Sequence, residues 1–221
     1  HGGLMTLSKR LEIVSTLVDI GERVIDVGCD HAYLDIYLTQ NNCNKCIAVD
    51  INKNALEIAN KNINKYNLTD KIETRLTNGL TSIDIKDNDN IVIAGMGTYT
   101  ILDILKTNRL SNTLIIASNN HIELLRREVI NMGFYIDTEI FIIDSNKPYI
   151  IIKFIKGKRK YKKIDYVLGP ILKNNIDYLT YLIKKEKSIL NNISKKKILI
   201  RLSYNIIIFK LNLRLSKLKK R

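Results

Sequence analysis

The chain has 221 residues, 45% of them hydrophobic and 26% charged, with a formal net charge of +14. That length holds one full α/β domain plus a smaller appendage. No apolar run reaches the ~18 residues of a membrane span, and three cysteines give no disulfide framework. Membrane spans and disulfide scaffolds are thereby excluded, and a reducing cytoplasm is the expected setting.

The leading His1-Gly2-Gly3 reads as an expression remnant and is set aside. From Leu7 to Val18 the apolar residues recur at helical spacing. Val24-Ile25-Asp26-Val27 places branched apolar residues around a carboxylate, the pattern of a buried parallel strand. Gly28 then opens a tight turn, and a helix is expected from His31 to Gln40. Cys46–Asp50 predicts a second strand, 53–66 a helix, and 71–75 a short third strand before Asn78-Gly79-Leu80. Residues 90–94 form the fourth strand and run into Gly95-Met96-Gly97; 113–117 form the fifth, followed by a helix over 121–132. Residues 135–143 and 148–155 read as two strands joined by a turn at 145–147. Strands alternating with helices and closed by a hairpin predict a Rossmann-like, mostly parallel sheet with an antiparallel edge.

After that the composition changes. Residues 1–155 carry 16 Lys and Arg against 19 Asp and Glu, whereas residues 156–221 carry 20 against 3. An AT-rich genome inflates lysine everywhere, but it does not reverse the sign of charge within one chain. The expected division is a domain over 4–156 and a basic helical hairpin over 157–221. Leu168, Leu172, Asn175, Leu179, Leu182, Glu186, Ile189 and Ile193 step by fours and threes, as a coiled-coil seam does. Past a polar break at 194–197, Leu199, Leu202, Ile206, Phe209 and Leu213 continue it, with lysines on the outer faces. Residues 206–215 also alternate like a strand; helix is the expected state. So basic a segment implies a polyanionic partner, nucleic acid before a membrane surface.

The turn after the first strand narrows the ligand. Dinucleotide sites use G-x-G-x-x-G, so that backbone N–H groups approach a pyrophosphate. Here a single glycine is followed by Cys29, Asp30 and His31, with Asp26 and Asp30 flanking the turn. Two carboxylates repel phosphate and suit an ammonium or sulfonium, which favours S-adenosylmethionine over NAD. Asp50, 20 residues beyond the turn, is placed either to accept both ribose hydroxyls or to cap the next helix. Asn78 meets an adenine edge or is an ordinary turn residue. Gly95 and Gly97 permit close approach of a ligand or base, or simply make a tight strand-to-helix turn. Asn119 and His121 follow the fifth strand at the same rim, where His121 is a contact residue or a helix-start residue. Cys43 and Cys46 have CxxC spacing without a second ligand pair, so packing is preferred to metal or redox use and no metal is expected.

Together these residues resemble the TrmK family of bacterial tRNA adenine-N1 methyltransferases. The resemblance runs from Leu7-Ser8-Lys9-Arg10-Leu11 through Gly28-Cys29-Asp30-His31-Ala32-Tyr33-Leu34. It continues at Asn78-Gly79-Leu80, Ile93-Ala94-Gly95-Met96-Gly97 and Asn119-Asn120-His121, and ends at Leu168-Gly169-Pro170. Three stretches depart from the usual pattern: Thr77-Asn78-Gly79 where the family usually has Gly-Asp-Gly, Ala117-Ser118 where it often has Gln-Pro, and Thr98 where a second glycine commonly follows. The resemblance implies methylation of N1 of adenine 22 in the tRNA D-arm, with S-adenosylmethionine as donor. It implies a cofactor site of Asp26, Gly28, Cys29, Asp30, His31, Asp50, Ile51, Asn78, Gly79, Ala94, Gly95, Met96 and Gly97. Catalytic roles fall to Asp30 and His31, with Asp30 able to accept from the adenine N6 amino group. Contacts to tRNA fall to Lys9, Arg10, Asn119, His121, Lys158, Arg159, Lys160, Lys162, Lys163, Lys195, Lys196 and Lys197. The expected protein is monomeric and touches no membrane. Rival readings are a methyltransferase of small molecules or proteins, a cofactor-binding RNA scaffold with little turnover, and, most weakly, an NAD enzyme.

Overall fold

The computed structural model describes residues 5–19, 21–41 and 43–220; His1-Gly2-Gly3, with Leu4 and Arg221 at the limits of the two expected domains, lies outside these. By internal contacts the chain divides into two compact units, one ending at Lys160 and one beginning at Tyr161.

In the first unit, helix α1 (Lys9–Leu17) precedes strand β1 (Arg23–Val27), and α2 (Tyr33–Gln40) follows the turn. Then come β2 (Lys45–Asp50), α3 (Lys53–Lys65), β3 (Ile72–Leu76) and β4 (Asn90–Ile93). Helix α4 (Thr98–Lys106), β5 (Thr113–Ser118), α5 (Ile122–Asn131), β6 (Phe134–Asp144) and β7 (Lys147–Lys156) complete it. The seven strands lie in the order β3-β2-β1-β4-β5-β7-β6. β1 to β5 pair in parallel, and β7 pairs antiparallel with both β5 and β6. The expected parallel sheet with an antiparallel edge is therefore present. Ser145 and Asn146 both adopt left-handed conformations (φ 49° and 64°), the geometry a two-residue turn needs to match strand twist.

Burial explains why the strands read as nearly continuous apolar runs. Val24, Cys46, Ala48, Val92, Ile115 and Ala117 pack in one core with residues of α1, α2 and α3. The intervening Ile25, Val27, Ile47, Val49, Ile91, Ile93 and Ile116 are equally buried. By strand alternation they face the other side of the sheet, where α4 and α5 pack together. A buried pair, Arg126 Nε to Glu139 Oε1 at 2.7 Å, joins α5 to β6.

Three expected elements differ. Helix α2 starts at Tyr33 rather than His31, because Ala32 sits in the left-handed region (φ 58°). The segment after Gly97 forms α4, whose Ile101, Leu102 and Leu105 are buried; the strand-to-helix reading of the Gly95 and Gly97 turn had given this helix no bounds. The long helix expected from Leu168 to Ile193 is broken. α6 (Lys163–Leu168) stops at Gly169 (φ 86°), a 3₁₀ turn covers Leu172–Asn174, and α7 (Ile176–Asn192) begins only after Asn175. Gly169 reaches the positive φ at no steric cost and Pro170 cannot continue a helix. Asn175 is not a seam residue but the N-cap, its side chain accepting from the Tyr178 N–H at 2.8 Å.

Helix α8 (Ile198–Lys219) corrects the expected seam more sharply. It is helical through residues 206–215, as expected, but the wrong face had been chosen. Leu199, Leu202, Ile206, Phe209 and Leu213 are exposed, Leu199 by 81%, whereas Ile208 and Leu211 are buried. Leu211 packs with Leu168, Leu179 and Ile183, flanked by Leu182, Leu215 and Leu218. Helix α8 carries two opposite apolar stripes, Leu199, Leu202, Ile206, Phe209 and Leu213 on one and Ile208, Leu211, Leu215 and Leu218 on the other, with its polar residues between them, so spacing alone selects neither. Leu211→Ala should cost about 2–4 kcal/mol of packing, read as lost amide-exchange protection across α7. Leu199→Ala should stay within about 0.5 kcal/mol.

Candidate functional site

The first unit places its chemistry at the carboxyl ends of β1, β2 and β4, where parallel sheets bind ligands. The turn after β1 is drawn onto β2. The N–H groups of Gly28 and Cys29 donate to the Val49 carbonyl at 2.8 and 3.0 Å. The Asp30 N–H donates to Asp50 Oδ2 at 3.1 Å. Gly28 has φ 80°, and a Cβ there would lie 2.7 Å from Met96 Cε. Asp30 (φ 52°) and Ala32 (φ 58°) are also left-handed; such strained non-glycine residues gather at functional sites.

Two adjoining cavities open beside this turn. The larger, about 510 Å³, is lined by Arg10, Asp26, Gly28, Cys29, Asp30, His31, Asp50, Ala94, Gly95 and Met96, with Tyr33 and Tyr149. The smaller, about 150 Å³, is lined by Val27, Val49, Asp50, Ile51, Thr77, Asn78, Gly79, Met96, Thr100 and Ile104. Gly28, Asp50 and Met96 belong to both. One lobe is rich in charge; the other is mainly apolar with a single side-chain amide. Ile51, 68% exposed at the end of β2, supplies one of its apolar walls.

Every residue expected at the cofactor site except Gly97 lines one or both lobes. Asp50 is not the helix cap: Asn52 caps α3, accepting from the Asn54 N–H at 2.9 Å. Each Asp50 oxygen accepts one backbone N–H, from Asp30 and from Asn52, and retains a further lone pair for a ligand. Gly97 is the N-cap position of α4 at φ −74°, which fits the plain strand-to-helix turn. Asn78 faces the apolar lobe.

The charges in the larger lobe are one-sided. Asp26 is 4% exposed, and burial first, then the neighbouring Asp50, push its pKa up to about 7, against the hydrogen bond from Asp35 and the charge of Arg10. The Cys29 thiol is pushed up by burial and the surrounding carboxylates, so it is no nucleophile. Asp30 is open to solvent, and its Oδ1 lies 3.4 Å from His31 Nε2. His31 meets Tyr33 edge-on at 5.6 Å. A cavity of this kind repels phosphate and accepts a ligand with a positive end and an uncharged planar end.

The expected tRNA-contact residues separate. Arg10 lies in the cavity wall, where its guanidinium donates to the Ala94 carbonyl and sits 5.0 Å from the centroid of the Tyr149 ring. Lys9 is exposed. Asn119 and His121 are exposed beyond β5, and His121 (φ 44°) packs against Tyr99 at 5.0 Å. Lys158, Arg159 and Lys160 are exposed, with Arg159 stacked 3.9 Å from the centre of Tyr135. In the second unit Lys162, Lys163, Lys195, Lys196 and Lys197 are all exposed. Tyr149 and Tyr99 had not been anticipated. Tyr149 reaches the site only through the pairing of β7 between β5 and β6, which no local pattern reveals. Cys43 and Cys46 approach to 3.7 Å and bond to backbone carbonyls. No metal-binding cluster occurs among the described residues.

Known proteins share this arrangement. Residues 7–152 match a family model described as a methyltransferase domain. The tRNA (adenine(22)-N(1))-methyltransferase of Bacillus subtilis is 30% identical over 160 residues, 70% of this chain and 67% of that protein. The structure of M. capricolum TrmK with S-adenosyl-homocysteine superposes with a TM-score of 0.81 at 33% identity, covering 95% of this chain and 98% of that one. The structure of Streptococcus pneumoniae Sp1610, described as a "putative tRNA (m1A22) methyltransferase", with S-adenosyl-L-methionine gives 0.83 at 29% identity, covering 95% and 100%.

A carboxylic acid whose pKa is raised in the fold stabilises the folded state while neutral, and that stability is lost as pH rises between its unfolded and folded values. For Asp26 the window is about pH 4 to 7. Asp26→Asn should therefore flatten the fall in thermal stability between pH 5 and 8. At pH 8 its melting temperature should exceed the wild type's by about 2–6 °C, measured by calorimetry without ligand.

Proposed function

The chain belongs to the TrmK family of tRNA (adenine-N1)-methyltransferases, and from that premise we propose that it methylates N1 of adenine 22 in tRNA with S-adenosylmethionine as donor. The observation that carries this reading is the two-lobed cavity around Gly28, Asp50 and Met96. Its residues fit the donor: carboxylates for the ammonium and sulfonium charges, free lone pairs on Asp50 for ribose hydroxyls, and an apolar slot with the Asn78 amide for adenine. When bound, S-adenosylmethionine supplies an electrophilic methyl group carried on sulfur.

Adenine N1 already offers an in-plane lone pair, so the protein has no proton to remove before transfer. Its task is alignment, which is worth several kcal/mol when reacting atoms are held in line. N1 lies on the pairing edge, so a stem adenine must leave its pair first. Asp30, exposed at the rim, accepts a hydrogen bond from the N6 amino group as positive charge grows on the ring. His31, within reach of Asp30 Oδ1, holds that carboxylate in place. Tyr99, 61% exposed beside the Gly95-Met96-Gly97 turn, and His121 offer a face on which the extruded base stacks.

The second unit carries 16 Lys and Arg against three Asp and Glu, and we assign it, with Lys158–Lys160, to the tRNA backbone. Lys195, Lys196 and Lys197 sit together between α7 and α8. The cavity is completed by one chain's own residues, which supports a monomer. No helix among the described residues is long and apolar enough to cross a membrane, and we place the protein in the cytoplasm with its tRNA.

Incubation with unmodified tRNA and S-adenosylmethionine should produce a reverse-transcription stop at adenine 22, because N1 methylation blocks the pairing edge; no stop there, or one elsewhere, contradicts the assignment. Asp30→Ala should lower turnover about 100-fold, the scale of losing one oriented hydrogen bond at a reacting centre, with cofactor affinity within a few fold. Replacing Lys195, Lys196 and Lys197 by Ala should weaken tRNA binding and reduce the slope of log K against log salt by about 2–3; an unchanged slope removes these lysines from the interface.

A further inference from the structure

Asp35 has no part in the function described so far. It lies on α2 with no exposed surface; neither carboxylate oxygen has a well-formed hydrogen bond, and the groups acting on them at hydrogen-bond range are its own backbone N–H and the Asp26 carboxyl. Its side chain lies against that of Asp26, two residues before Gly28 on β1. Two ionised carboxylates in contact, one of them fully buried and the other nearly so, would repel each other with little water to screen them. A proton between them converts this repulsion into a hydrogen bond, and it satisfies Asp35 without any other partner.

The surroundings decide which residue keeps the proton. Facing Asp26 are Asp50 from β2, Arg10 from α1 and the Cys29 thiol; it borders the larger cavity. Facing Asp35 are the thiols of Cys43 and Cys46, the latter 3.8 Å from the Asp35 carbonyl oxygen. Asp26 thus has a cation and a solvent-accessible cavity on its far side, and Asp35 has neither. Burial and the adjacent Asp26 raise Asp35 well above the usual carboxylate range, which agrees with a proton resident on Asp35.

We propose that Asp35 is a positioning residue for the cofactor: as a neutral acid it donates the shared proton to Asp26 and keeps that carboxylate ionised towards the ammonium end of S-adenosylmethionine. This rests on the cofactor reading above. Without the donor, Asp26 keeps its burial and loses the one hydrogen bond that favours its charged form. Its ionisation then moves to higher pH, and cofactor affinity at neutral pH moves with it.

The test is calorimetric titration of the full chain with S-adenosylmethionine from pH 6 to 9.5, using the wild type, Asp35→Leu and Asp35→Asn. Leucine fills the volume without a donor; asparagine retains an N–H to give. Wild-type affinity should rise as pH passes about 7. In Asp35→Leu the midpoint should lie at least about one unit higher, giving about tenfold weaker binding at pH 7.5 that recovers towards pH 9.5. Asp35→Asn should keep the midpoint near the wild type's. The ligand's own amino group titrates identically with every variant, so differences between variants report the protein. A wild-type profile in Asp35→Leu overturns the proposal.

Carboxyl-carbon NMR of the unliganded protein supplies a second readout that needs no cofactor. One of the two side chains should stay protonated through neutrality; both titrating below pH 5 also overturns the proposal, including where Asp35→Leu fails to fold. Absence of S-adenosylmethionine binding by the wild type at every pH would instead count against the cofactor reading.

Discussion

The site depends on how the turn after β1 is fastened to the end of β2. Three consecutive backbone N–H groups, from Gly28, Cys29 and Asp30, are spent on Val49 and Asp50. None of them is left to make a phosphate-binding nest, so the loop is shaped by its own sheet rather than by an anion. Gly28 can take the required positive φ without cost. Its neighbours Asp30 and Ala32 take it under strain, and that strain turns Asp30 and His31 to the rim while the helix starts late, at Tyr33. The same fastening fixes Asp50 between the two lobes of the cavity.

Electrostatics then divides labour along the chain. The cavity gathers Asp26, Asp30 and Asp50 around a single guanidinium, that of Arg10, which is itself held by the Ala94 carbonyl and the Tyr149 ring. A free cavity of this sign is destabilised by burial of charge, and a cationic ligand relieves it. The second unit has the opposite sign, which suits a polyanion bound over a surface.

Much of this was legible in the sequence, for identifiable reasons. Strands buried on both faces write long Val/Ile runs, and the turn chemistry from Gly28 to His31 is local, so sheet class and donor site followed directly. Asp50 lies beside the turn because its spacing from it is set by one helix crossing. Spacing failed where tertiary contact decides. Helix α8 carries two opposite apolar stripes, and the packing against Leu179 and Ile183 of α7 shows that Leu211, not Leu199, is the inward residue. Tyr149 enters the site by antiparallel pairing across 139 residues of chain from Arg10. The departures from the family pattern also acquire a physical reading. The Thr98 hydroxyl, fully buried, lies 3.0 Å from the Ser118 hydroxyl and donates to the Asn120 carbonyl at 2.7 Å. Two unusual residues at separate places in the sequence are thus one hydrogen-bonded pair, with the Ser118 hydroxyl donating to Thr98, whose own proton goes to Asn120. Asp35 left no sequence signal, since an acid within a helix is ordinarily a solvated one.

The central claim is that this fastened turn creates a two-lobed site for one sulfonium donor. A crystal structure of the chain with S-adenosyl-homocysteine tests it most directly. The adenine should lie in the lobe of Ile51, Asn78 and Ile104, the ribose hydroxyls on Asp50, and the amino-acid end beside Asp26 and Arg10. Adenine in the larger lobe, or a ligand that leaves Asp50 without a contact, would contradict the account.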